Sequence, residues 1–242
     1  MSTLKANLLV TPADLFTSST TQGTDIGAQA TTGDGRYFRY FLNGAVAAVP
    51  GQVYQGPAQD TTNYNPSGGL AVAAAAIGTN TVTLTGSLTI AANALAGAFM
   101  SVAVTPGQGY LYKVKSNSAV SAAANCVITL EDNIQVALTT ASKVVFQQNP
   151  YNGCIVTPAT MTASVAGVPI YAVAASAYGW MQVFGMASCL QTGTGTVGTA
   201  LGVLQGGTIG SLAPAIAGTP IVAWAANTNI TGQYGNVYLV IA

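Results

Sequence analysis

Residues 167–184, GVPIYAVAASAYGWMQVF, decide the fold class. Val, Ile, Tyr, Trp and Phe, the side chains suited to a pleated sheet, fill both ends of this stretch. The apolar runs 167–173 and 180–184 flank Tyr178-Gly179, which predicts an antiparallel hairpin.

The same grammar repeats outward from it. Residues 81–85, TVTLT, alternate with period two, and so do 110–115, YLYKVK, which places Lys113 and Lys115 on one face. In 36–42, RYFRYFL, Tyr37 and Arg39 share one face while Phe38 and Tyr40 share the other. Later strands are expected at 221–224 (IVAW) and 236–241 (NVYLVI). Asn43-Gly44 and Pro50-Gly51 are turn signals. Such punctuation at roughly 8–12-residue intervals belongs to an all-β sandwich or barrel. No segment has the amphipathic periodicity of a surface helix. Alanine tracts at 71–76 and 121–124, and NALAGAF at 93–99, allow single helical turns. The segment VITLEDNIQVAL at 127–138 resembles TVTLT, which suggests two similar hairpins without establishing a repeat.

Composition divides the chain further. Residues 17–35 hold one strong hydrophobe, Ile26, among Thr, Ser, Gln and Gly, and cannot fold alone. With 1–16 they read as an extended arm, ordered only where another surface holds it. Residues 36–62 and 149–242 read as two halves of a sandwich- or barrel-like base domain. Residues 63–148 read as a β-rich block inserted between them.

Charge is scarce. From residue 144 to residue 242 no side chain is charged, and histidine is absent throughout. Charged residues make up 5% of the chain, against about 25% in ordinary globular proteins. General acid–base catalysis needs titrating groups, so an enzyme is not expected. Zero net charge with six scattered bases removes the phosphate-neutralising term of nucleic-acid binding. The N-terminal MSTLKANLLVTPADLF lacks the apolar centre and cleavage site of a signal peptide, so cytoplasmic synthesis is expected. Residues 162–177, the best uncharged window, are broken by Gly167 and Pro169 and fall short of a membrane span. No membrane partner is expected.

Candidate chemistry is thin. Residues 193–198, GTGTVG, match G-x-G-x-x-G by letter, yet Gly206-Gly207 would cut short any helix and no acid follows for a ribose. A Gly-rich β loop is expected instead, and no cofactor. Ser142-Lys143 are sequence neighbours that project to opposite faces of a strand, and Glu131-Asp132 are adjacent residues at a turn or strand edge. No D-x-[DN]-x-[DN]-G calcium loop is present. Cys126, Cys154 and Cys189 are odd in number, without CxxC or histidine partners, so no zinc site is expected and burial as small hydrophobes is. Arg and Tyr are enriched at protein interfaces. Arg36, Tyr37, Arg39 and Tyr40, with Leu8, Leu15 and Phe16 of the arm, are therefore the candidate contact residues.

Five segments carry a resemblance: GDGRYFRYFLNG (33–44), PGQVYQGPA (50–58), NPYNG (149–153), YGWMQVFG (178–185) and TGQYGNVYLVIA (231–242). Together they resemble the capsid decoration, or cement, proteins of tailed bacteriophages. That resemblance implies a β-rich virion protein outside the capsid, with the major capsid protein as partner, commonly as a homotrimer with reaching arms. It carries over no catalytic residue. A host-recognition or carbohydrate-binding virion module is the alternative, with Tyr64, Trp180 and Trp224 as sugar-stacking candidates. An outer-membrane β-barrel fits the alternating strands only loosely.

Overall fold

Alternating side chains build two separate sheet systems, seen in a computed structural model that describes residues 8–86, 88–121, 124–203, 209–216, 219–228 and 230–241. The fold is all-β, with 42% strand and 2% helix. The chain divides into two compact units, 1–58 with 150–242 and 59–149.

The elements run β1 (Leu8–Leu9), α1 (Pro12–Leu15), β2 (Gln29–Thr31), β3 (Tyr37–Asn43) and β4 (Tyr54–Gln55). The second unit then supplies β5 (Leu70–Val72), β6 (Thr81–Thr85), β7 (Phe99–Val104), β8 (Leu111–Asn117), β9 (Cys126–Leu130) and β10 (Lys143–Gln147). The chain returns with β11 (Asn152–Val156), β12 (Val165–Pro169), β13 (Tyr178–Leu190), β14 (Ala200–Gly202), β15 (Ala213–Pro214), β16 (Ile221–Ala225) and β17 (Tyr234–Val240).

In the unit of residues 59–149, β10-β5-β6-β9-β8-β7 close into a barrel. Every second side chain points inward, as strand geometry requires. Val82 and Leu84, Met100 and Val102, Tyr112 and Val114, Ile128 and Leu130, and Val144 and Phe146 fill the interior. The two similar segments are neighbours rather than separate hairpins: β6 pairs antiparallel with β9, Val82 opposite Ile128. On the outside Lys113 meets Glu131 at 3.0 Å.

In the other unit β3, β11, β4, β12 and β13 pair in turn, and β13 pairs back to β3, closing a second ring. Phe41, Tyr54, Cys154, Ala166 and Met181 pack together in one of its clusters. β13 spans 13 residues and serves two structures. Residues 178–184 pair with β3; residues 184–190 pair with β17, which leads on to β16, β14 and β15. The inner face of that extension carries Cys189, Leu201, Ala223, Val237 and Leu239, covered by Val53, Val168 and Leu212.

Two further expectations change. The hairpin of β12 and β13 forms, with Val168 opposite Gln182, but its connection is 170–177 and Tyr178-Gly179 lie within the strand. Gly179 is needed for packing rather than turning, because a Cβ there would sit 2.5 Å from Val173 Cγ2. Residues 8–35 are also not an extended arm. β1 pairs with β2, β2 pairs with β3, and the backbone of Ser19 exchanges hydrogen bonds of 3.0 and 2.8 Å with Tyr178. Val10, Leu15 and Ala30 join Phe38, Tyr40 and Trp180 in a shared core. Three well-spaced apolar anchors thus hold a segment whose overall composition is polar, each offsetting part of the ordering entropy.

Candidate functional site

Strands β13, β16 and β17 come from the uncharged part of the chain, so their outward face holds no charged side chain. Phe184, Met186 and Ser188 of β13, Tyr234, Asn236 and Tyr238 of β17, and Trp224 of β16 occupy it. Register places Trp224 opposite Tyr238 and Tyr238 opposite Met186. The Tyr238 ring lies 5.3 Å from Phe184 at 78°, and Phe184 lies 5.4 Å from Tyr37 at 53°. Tyr37, Phe184, Tyr238 and Trp224 therefore form an aromatic stripe across four strands, with Phe184 and Tyr238 in the edge-on contact that ring quadrupoles favour. Trp224 is 44% exposed and Tyr238 39%.

Beside the stripe lies an open groove of about 490 Å³. Met186, Ser188, Tyr234 and Asn236 line it on the sheet side, with Phe16, Arg36 and the Pro50-Gly51 turn also on its wall. Gly51 has φ +77°, and a Cβ on it would fall 2.6 Å from Tyr234 Cε1, so glycine both makes the turn and admits the ring. Arg36 Nε donates to Asp34 Oδ2 at 2.8 Å, and its guanidinium lies over the Phe38 ring at 5.5 Å. The Thr32 hydroxyl, which donates to Asp34, and then Arg36 hold that carboxyl below the usual range.

The expected contact residues divide. Phe16 and Arg36 meet at the groove, and Tyr37 begins the stripe. Arg39 turns to its own chain: Nη1 donates to Gly27 O at 3.1 Å and the guanidinium lies over Tyr151. Leu15 and Tyr40 are core residues rather than contact residues. Tyr40 stacks on Tyr178 at 5.9 Å, and its hydroxyl accepts from Gly23 N at 2.9 Å. Leu8 gives its backbone to β1; its side chain lies outside the described part of the structure. The sugar-stacking trio is not one site: Tyr64 packs on the barrel core of 59–149, Trp180 is 6% exposed, and Trp224 alone faces outward on its sheet. Residues 193–199 form a loop leading into strand β14, where the dinucleotide motif would need a helix.

All three thiols are buried and free. Burial pushes Cys189 up to about 12, and Cys154 higher. Burial raises Cys126 too. Since the thiolate is the nucleophile, a maleimide at pH 7 is expected to label none of them in the native chain and all three in denaturant. Rapid native labelling of Cys154 or Cys189, read by mass spectrometry, would contradict this packing.

Among the described residues no group of three or more His, Cys, Asp or Glu gathers as a metal site, and no helix is long and apolar enough to cross a membrane. Compared with protein-family models, curated proteins and solved structures, the chain matches none.

Proposed function

We propose that this chain is a structural virion protein that binds the outside of an assembled tailed-phage capsid and holds neighbouring capsid subunits together. The carrying observation is the aromatic stripe, three of whose four rings stand on the uncharged outward face of β13, β16 and β17. Covering such a face strips no ion of its hydration, a loss that can exceed what ion pairing returns. Aromatic side chains are the usual anchors of an interface. The sequence resemblance supplies the identity of the shell, with the major capsid protein as partner and a homotrimer as the bound form. Repetition over a lattice then turns modest contacts into firm attachment by avidity. Catalysis is no part of this reading, since the face offers neither carboxylate, imidazole nor thiol.

Purified particles test it. Mass spectrometry is expected to find the chain at a stoichiometry comparable with the shell's own symmetry. Stripping it is expected to lower the temperature at which the genome is released. Trace copies, or an unchanged release temperature, would overturn the proposal.

A further inference from the structure

We infer that the groove beside the aromatic stripe is a binding site for a neutral, hydroxyl-rich ligand, a saccharide unit of an uncharged glycan. Its size, about 490 Å³, is that of a small-ligand site. Its chemistry selects the class. Ser188 and Asn236 stand directly opposite each other on β13 and β17. Their side chains are therefore about 5 Å apart at Cβ. Tyr234 lies two residues before Asn236 on the same face. A hydroxyl, an amide and a phenol thus converge on one space, and among the described residues no hydrogen bond satisfies any of the three side chains. Each can both donate and accept, which is what a polyol demands. The half-exposed rings of Phe16 and Tyr234 offer flat apolar surface for the C–H face of a pyranose.

Charge argues against the other classes. Arg36 is the one cation of the wall, and Asp34 already pairs with it, so an anion gains no net charge to bind. A purely apolar ligand would leave Ser188 and Asn236 dry and unpaired. The groove side chains (Phe16, Ser188, Tyr234, Asn236) and the stripe side chains (Tyr37, Phe184, Tyr238, Trp224) are different sets. Both sets draw on one sheet face, so the inference concerns the free chain, and glycan binding and capsid binding are measured separately and can fail separately.

The test uses the full purified chain on a printed array of neutral, N-acetylated and sialylated oligosaccharides, followed by titration calorimetry with the neutral glycans that bind. Binding to neutral members is expected. Asn236→Ala should weaken it at least tenfold, and Ser188→Ala should weaken it measurably. Ile77→Lys, an exposed change in the other unit, should leave it unchanged. Both groove variants are surface changes whose folding is checked by thermal melting. No binding on the array, binding confined to sialylated members, or affinity indifferent to Asn236→Ala would overturn the inference. So would preferential capture of uncharged extended peptides over every glycan.

Discussion

The double variant Trp224→Lys, Tyr238→Glu is expected to bind stripped capsids at least ~30-fold more weakly than the unmodified chain, with its melting temperature lowered by only a few degrees through loss of the Tyr238–Phe184 contact. Trp224 and Tyr238 are directly opposed across β16 and β17 and both face outward. Opposite charges at such a cross-strand position support a sheet, so the fold keeps its register. The surface does not keep its character. Two aromatic anchors are removed, and two ions would need to be stripped of water on docking. Loss of one central aromatic anchor costs about 2 kcal/mol or more in a protein interface. Ile77→Lys supplies the control, because Ile77 is 65% exposed and belongs to the other unit, which supplies no residue of the stripe. Co-sedimentation with particles, at matched protein concentration, reads the difference. Equal sedimentation of the double variant and the unmodified chain would remove the stripe from the proposed contact.

The stripe was half legible in the sequence. Alternation in 236–241 marks Tyr238 as one face and Val237 and Leu239 as the other, which is how the strand lies. The partners were not legible, because Tyr37, Phe184, Tyr238 and Trp224 are brought together only by register. A one-residue slip would send each side chain to the opposite face. The two tryptophans make the same point. Both sit in short apolar strands, but β13 is buried on both sides over 179–183, between the ring interior and the folded-back N-terminal segment. Trp180 is therefore core, while β16 has one face open and Trp224 occupies it. The order of the N-terminal segment is faint in its sequence because Ile26, the one strong hydrophobe of 17–35, is only half-buried, while the small Ala30 is the anchor there. Alanine carries little signal in a sequence but fits where a strand packs closely. The groove was illegible for the plainest reason: Phe16, Arg36, Ser188 and Asn236 come from four distant parts of the chain.

The substitution Phe146→Ala is expected to destabilise residues 59–149 by about 3–5 kcal/mol, a large share of the ~5–15 kcal/mol that holds a typical domain. Phe146 is fully buried on β10, and β10 pairs with both β5 and β7, so it closes the barrel. A void there removes contacts at the seam, and closure leaves β10 little room to shift and fill it. The core it belongs to draws its buried residues from Leu70 to Phe146, and none from the other unit. Built-in probes separate the two responses. Both tryptophans, Trp180 and Trp224, lie outside 59–149, so their fluorescence follows the other unit alone. Cys126 is buried in the barrel, whereas Cys154 and Cys189 are buried elsewhere. In Phe146→Ala, Cys126 should become reactive to a maleimide at lower denaturant, while Cys154, Cys189 and the tryptophan transition stay where they were. Phe41→Ala, in the core of the other unit, should reverse that order. If instead Phe146→Ala shifts the tryptophan transition as far as it shifts Cys126 labelling, the two cores melt as one cooperative body, and separate clusters do not imply separate folding.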